Sequence, residues 1–338
     1  MPLNIQSNTV PVRFVTGLMA AVRHRPGFDP DCIRRAGIAP ALLQQHAARV
    51  TIDQFANLYR SLAIQFDDET PGLFSRPLRN GALKYLCLGM LEAANLRIAL
   101  HRFSGFFRLL LDDLHFEMST QGELTRIALV ERTDLGERRI LVLELMLMLV
   151  QGVSSWMIER KIPFVRIDLA YPPPAHAADY LHLYPGPVHF TQPVTALYLD
   201  TAVLGEPIRQ DKAALSKFLR NAPRDWFYVS VSERPQTHRV RDYLQGRLDR
   251  PQSVESVART LHTSARTLAR RLAAEGTSFQ SIKDDLRRDS AIARLTLSDE
   301  PVAAIGSMLG FDDPTAFNRA FRRWTGSTPG AYRKRPRI

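Results

Sequence analysis

Two short stretches of this 338-residue sequence gather side chains that could recognise another molecule. The first holds Ser264, Arg266, Thr267, Arg270 and Arg271. The second holds Pro314, Thr315, Asn318, Arg319, Arg322 and Arg323. An Arg guanidinium is always charged and presents its N–H donors as a planar fork, while Asn, Thr and Ser add short polar groups. No acidic residue interrupts either set. This chemistry suits phosphate oxygens and base edges, since an Arg fork can meet guanine with two hydrogen bonds.

Such side chains discriminate only if a rigid element holds them on one face. In the second stretch, Pro301 suits the first turn of a helix, and Val302, Ile305 and Leu309 recur at helical spacing. Gly310 can end that helix in the left-handed conformation. Asp313 is a good N-cap and Pro314 a good first residue for a second helix. There Phe317, Phe321 and Trp324 form the apolar stripe, opposite Thr315, Asn318, Arg319 and Arg322, and Gly326 stops it. The same plan occurs upstream. Ser253 caps a helix with Val254, Val257, Ala258 and Leu261 inward, His262-Thr263 make a turn, and Ser264 caps a second helix with Ala265, Leu268 and Leu272 inward. Small Ala258 and Gly306 sit at matching places, where the paired helices must approach closely. A linking helix is expected over 278–297, with Phe279, Ile282, Leu286 and Ala293 inward. One such hairpin also fits an ordinary helix pair with a solvated basic face; two copies point to helix-turn-helix readers of DNA.

The quoted residues resemble the C-terminal domain of the AraC/XylS family of bacterial transcription regulators. The resemblance rests on Ala-Arg-Thr-Leu-Ala-Arg-Arg-Leu at 265–272, Leu-Gly-Phe at 309–311, Phe-Asn-Arg-Ala-Phe at 317–321, Gly-Ser-Thr-Pro at 326–329 and Tyr332-Arg333. It covers about the last 100 residues and implies two helix-turn-helix units joined by a helix. It also implies that Arg266 and Arg270, and Thr315, Asn318 and Arg319, lie towards base edges. His262 departs from the family pattern, at a turn position that usually wants glycine, but His tolerates positive φ better than most residues.

Composition agrees with a basic C-terminal third. The chain has 45 Lys and Arg, only six of them Lys, against 34 Asp and Glu, a formal net charge of +11. From residue 234 onward there are 20 basic and 11 acidic residues, whereas residues 1–233 hold 25 and 23. The surplus therefore lies where the two motifs lie, as an electrostatic footprint for nucleic acid would. Hydrophobic content of 45% and charged content of 23% are ordinary for a globular chain with a sizeable core.

Along the first part, helical spacing is expected over 11–24, 29–36, 40–47, 78–90 and 92–111, with Thr51 capping a further helix that carries Phe55, Leu58, Tyr59, Leu62 and Phe66. The period then changes to two, and Leu114, Phe116 and Met118, a Gln121-Gly122 turn and 124–130 predict a β-hairpin. Helix returns over 138–159. Strands are expected at 165–171, 188–190 and 196–199, and short helices at 175–183 and 211–220. Residues 221–236, with Pro223 and Pro235, form the expected linker. The fold class is thus an α+β N-terminal domain with a small sheet, residues 1–233, and an all-α C-terminal domain with two helix-turn-helix units, residues 234–338. The N-terminal stretches 170–180 and 187–190 resemble, more loosely, the effector and dimerisation domain of a large AraC-family subgroup. That domain is often labelled arabinose-binding, yet nothing in these residues selects a sugar.

Catalytic and cofactor motifs are missing: there is no glycine-rich dinucleotide or phosphate loop and no nucleophile elbow. His176, His182 and His189 stand beside Asp179 at spacing poor for metal ligation. Cys32 and Cys87 lie among apolar neighbours without metal or redox spacing. Phe103, Phe106, Phe107 and Phe116 could line a pocket, or simply pack a core. The apolar run 140–150 is too short for a membrane span and carries Glu144, and the N-terminus lacks the features of a signal peptide. The expectation is a non-enzymatic, cytoplasmic, sequence-specific DNA-binding transcription regulator without a cofactor. Its expected partners are double-stranded DNA, a small-molecule effector of unknown class and a second copy of itself, with RNA polymerase left open and no membrane. The alternatives are an adaptor that binds nucleic acid nonspecifically and, more remotely, an enzyme with a DNA-targeting tail.

Overall fold

A computed structural model describes residues 9–174, 176–177, 180–184, 186–227, 235–250 and 252–333. In chain order the elements are β1 (Thr9–Pro11), α1 (Val12–Val22), α2 (Cys32–Arg35), β2 (Arg49–Thr51), α3 (Ile52–Phe66), α4 (Ala82–Leu91), α5 (Leu96–Leu110), β3 (Leu114–Gln121), β4 (Leu124–Glu131), α6 (Arg139–Met157), β5 (Arg166–Asp168), α7 (Tyr180–Leu183), β6 (Val188–His189), β7 (Thr195–Asp200), α8 (Lys212–Asn221) and α9 (Arg224–Phe227). Then follow α10 (Pro235–Leu244), α11 (Val254–Thr260), α12 (Ala265–Ala274), α13 (Phe279–Leu297), α14 (Val302–Met308), α15 (Pro314–Thr325) and α16 (Pro329–Tyr332). Two compact units emerge. One comprises Gly17–Phe28 and Tyr59–Glu233, the other Met1–Thr16, Asp29–Leu58 and Arg234–Ile338. Two early segments are thus grouped with the C-terminal helices.

The first unit is built on helix α6. Sixteen of its nineteen residues are buried, Leu141 to Ser155 without interruption and then Met157. A helix apolar on all sides belongs in a core. The stretch Gly136–Met157 is long and apolar enough to cross a membrane, and 89% of its most apolar window is buried within the fold. The buried Glu144 accepts the hydroxyl of Tyr180 and lies 3.3 Å from His176 Nε2, so its charge is partnered. Beside α6 stands a five-stranded sheet in the order β3-β4-β7-β5-β6, antiparallel except for the β5–β6 pair. The hairpin register runs from Leu114↔Glu131 to Gln121↔Leu124, and Gly122 at φ +58° makes the tight turn. Helix α5, capped by Asn95, packs Phe103 and Phe107 against Phe116 of β3, with ring centroids 5.0 and 5.5 Å away.

The second unit gathers around α13. Strands β1 and β2 pair antiparallel, Val10 opposite Val50. Thr51 and Gln54 form a reciprocal cap at the start of α3, with bonds of 3.1 and 2.9 Å. The buried Asp289 of α13 accepts from Thr9 Oγ1 at 2.7 Å and from Arg288 Nε at 3.0 Å. Arg49, 6% exposed, donates its Nε to Thr9 Oγ1 at 2.7 Å, and its backbone N–H donates to Tyr332 Oη at 3.0 Å. A buried charge is tolerated only when partnered like this.

Several elements differ from the sequence expectation. The helix expected from residue 11 starts at Val12 because Thr9–Pro11 pair as a strand. The helix expected over 29–36 shrinks to Cys32–Arg35, and 40–47 holds a 3₁₀ turn at Pro40–Gln44. The strand expected over 165–171 is confined to Arg166–Asp168. Positions 175, 178 and 179 of the expected 175–183 helix lie outside the described residues, and Tyr180–Leu183 is helical. The expected linker contains α9 and the start of α10, with 228–234 outside the described residues. Helix α10 begins at Pro235 because Glu275 caps it, accepting from the Gln236 and Thr237 amides at 3.2 and 2.8 Å.

Candidate nucleic-acid interface

Both helix pairs form as the spacing predicts. In the first, Ser253 and Ser256 cap α11 reciprocally. His262 takes φ +53°, the conformation its place in the turn demands. Ser264 caps α12, accepting from Thr267 N at 3.1 Å. Leu268 and Leu272 are fully buried, while Arg266, Arg270 and Arg271 are exposed and Thr267 half-buried. In the second, Pro301 stands at the N-cap of α14 rather than in its first turn. Gly310 at φ +75° makes the turn, and an added Cβ there would lie 2.5 Å from Leu248 O, so glycine is required twice over. Asp313 accepts from the Thr315 and Ala316 amides at 2.9 and 3.1 Å. Those hydrogen bonds, that of Thr315 foremost, hold its carboxyl below the usual carboxylate range. Phe317 and Phe321 are fully buried, and Pro314, Thr315, Asn318, Arg319, Arg322 and Arg323 are exposed.

Helices α12 and α15 carry no acidic residue between their caps, so the charged groups each shows to solvent are all cationic. The eleven anticipated residues are thus on the two reading helices or at their caps. Four are engaged within the fold. Ser264 Oγ and Thr267 Oγ1 lie 2.9 Å apart, so these two serve the helix start. Asn318 Nδ2 donates to Pro314 O at 2.8 Å and would have to release that carbonyl to meet a base. Arg323 lies 3.6 Å from Asp284, on α13.

The positioning residues that sequence reasoning missed are on α13. Lys283 Nζ donates to Gln252 O at 3.1 Å, just before α11. Arg287 Nη2 donates to Gly310 O at 3.3 Å, and its guanidinium lies 4.8 Å from the centre of the Phe311 ring. Burial pushes both cations below their ordinary pKa. Side chains one helical turn apart therefore fasten the two reading units to one helix. The only sequence signal was a Lys and an Arg four apart on an otherwise amphipathic helix. Among the described residues no group of three or more His, Cys, Asp or Glu could hold a metal ion. His176 turns instead to Glu144 and Tyr180.

Residues 27–208 match the family model described as the arabinose-binding domain of AraC transcription regulator, N-terminal, and residues 257–335 match a helix-turn-helix domain. The ornithine utilization regulator of Pseudomonas aeruginosa is 28% identical over 336 residues, 99% of each chain. The HTH-type transcriptional regulator VqsM of the same organism is 38% identical over 95 residues, 28% of this chain and 29% of that one. The arabinose operon regulatory protein of Salmonella typhimurium is 33% identical over 104 residues, 29% of this chain and 37% of that one.

Proposed function

Since this chain belongs to the AraC family of transcription regulators and is a sequence-specific DNA-binding regulator, we propose that one monomer reads two adjacent major-groove segments with α12 and α15. The observation that carries this is the fastening of both helix pairs to α13. Its 19 residues span about 28 Å at ~1.5 Å per residue. Successive major-groove faces on one side of B-DNA recur every ~34–36 Å. A rigid helix of nearly that length suits two reading helices one turn of duplex apart. In this reading Arg266, Arg270, Thr315, Asn318 and Arg319 face base edges. Arg271, Arg322 and Arg323 serve phosphates, and the capped helix starts at Ser264 and Pro314 approach the backbone.

Residues 234–338 act as the DNA-binding domain and residues 1–233 as the effector-binding and dimerisation domain. The regulator works as a homodimer in the cytoplasm, responds to a small molecule and engages RNA polymerase at its promoters. The near-neutral charge of 1–233 supports this division of labour, beside a surplus of nine positive charges after 233. The test is a gel-shift competition at fixed salt between operator, found by genomic footprinting, and scrambled duplex. A sequence reader prefers its operator by roughly 10³-fold or more, and its affinity falls steeply with salt as phosphate contacts release counterions. Equal affinity for both duplexes favours the nonspecific adaptor instead.

A further inference from the structure

The unit built on α6 contains a cavity of about 230 Å³. An engineered apolar cavity of roughly 150 Å³ takes benzene, so there is room here for a substituted ring or a short acyl chain. The walls come from α3, α4, α5, α6 and the end of α8, with Leu73, Phe74, Phe106, Phe107, Met146 and Leu149 among the apolar groups. The few polar side chains in the lining are already committed to the protein. Tyr59 Oη donates to Glu69 O at 2.6 Å. The Glu69 carboxylate accepts from the Gly81 and Leu83 amides at 2.8 and 2.6 Å. Thr70 Oγ1 donates to Asp68 at 3.1 Å, Asn80 Nδ2 to Ala63 O at 3.0 Å, and Arg60 Nη1 to Arg220 O at 2.8 Å. The Lys84 ammonium, exposed in the lining, makes no hydrogen bond or ion pair among the described residues.

We propose that this cavity is the effector site and that its ligand is an apolar monocarboxylate, aromatic or short aliphatic, whose carboxylate meets Lys84. The proposal rests on the reading of this chain as an effector-controlled regulator. A pentose is the wrong chemistry for these walls. Each sugar hydroxyl buried without a partner is penalised, and the polar groups that could receive it are in use. One anionic group on an otherwise apolar body asks for a cation at the rim, and of the two cations in the lining Arg60 is already held by Arg220 O, which leaves Lys84. Leu219, Ala222 and Pro223 belong to the same wall. They lie just before α9 in sequence, the last described element of this unit.

Isothermal titration of the full chain with phenylacetate, 4-phenylbutyrate and octanoate tests the assignment. At least one should bind with a negative heat-capacity change, the mark of apolar burial, and L-arabinose at equal concentration should give no heat. Ala63→Phe narrows the cavity from α3 and, independently, Ala222→Trp narrows it from the end of α8. Each should weaken that binding tenfold or more while operator binding without ligand is retained. Lys84→Gln should weaken the carboxylate but leave 4-phenylbutanol unchanged. Arabinose binding, or wild-type affinity for the carboxylates in both filled variants, would overturn the proposal. So would no binding of any of the three carboxylates at ~1 mM, a result that leaves effector control itself standing. Saturation by 4-phenylbutyrate with no change in operator affinity by gel shift would instead remove its role as effector and leave the cavity assignment intact.

Discussion

Gly306→Ala should destabilise the second reading unit, against the usual direction of that exchange in a helix. Replacing Gly by Ala inside a helix ordinarily gains about 1 kcal/mol. At 306 the new Cβ would lie 3.1 Å from Phe317 Cγ, 3.2 Å from its Cβ and 3.3 Å from Cδ1. Phe317 has no room to step aside. It is fully buried, and its ring meets those of Phe311 and Phe321 at 5.5 and 5.8 Å between centroids. Forcing an extra carbon into a packed core costs about 1–3 kcal/mol, so the net expectation is a loss of about 1 kcal/mol. The first unit uses another solution to the same contact. Ala258 stands where Gly306 stands, and Leu268 lies four residues beyond its cap as Phe317 does beyond Asp313. Combining Gly306→Ala with Phe317→Leu recreates that pair. The two changes should couple favourably by about 1–2 kcal/mol, within the range for residues in contact. Native-state hydrogen exchange on the full chain, read at the amides of α14 and α15, measures this opening locally. It also avoids assuming two-state unfolding for a chain of two units. If Gly306→Ala slows exchange in α15, or the double variant equals the sum of the singles, helix approach at 306 does not limit this packing.

Three further outcomes follow from the interface. Arg270→Ala should relax specificity in one half of the operator and Arg319→Ala in the other, by about 1–3 kcal/mol each; gel shifts with half-site variants check this, and wild-type selectivity in either variant refutes its assignment. Inserting two alanines after Arg287 turns one reading unit by roughly 200° at about 100° per residue, so specific footprints should vanish while far-UV circular dichroism is kept. An unchanged footprint would mean that α13 is not a rigid spacer. The depressed carboxyl of Asp313 implies that its stabilisation of α15 is full at neutral pH and is lost as pH falls through the folded-state pKa. Asp313→Asn, still a good N-cap, should therefore match wild type near neutrality and show less loss of α15 exchange protection on acidification, and equal acid sensitivity in both proteins would refute the cap's role.

The reading helices were legible because every signal for them is local. Caps at Ser264 and Asp313, turns at His262 and Gly310, and apolar residues one turn apart lie within a few positions of one another. The backbone must satisfy those demands wherever the helix pair sits. The hairpin at Gly122 was legible for the same reason. The boundaries of α2, β5 and the 3₁₀ turn at Pro40–Gln44 were less so, because short elements are held by distant packing and not by their own period.

The sequence by itself therefore determined the class of protein, the two reading units and the face that each presents. Only the tertiary structure decided how these units are held. Asp289, Thr9 and Arg49 carry no pattern that links them, yet they form one buried polar cluster across 280 residues of sequence. Lys283 and Arg287 read as surface cations until the carbonyls of Gln252 and Gly310 are seen to receive them. The apolar walls of the cavity were legible only in part: of the four phenylalanines that could line a pocket Phe106 and Phe107 do so, whereas Tyr59, Met146 and Leu219 merely satisfy the spacing of their own helices. Whether such residues close up as core or leave a void depends on how five helices meet, which is a property of packing and not of any one stretch of chain.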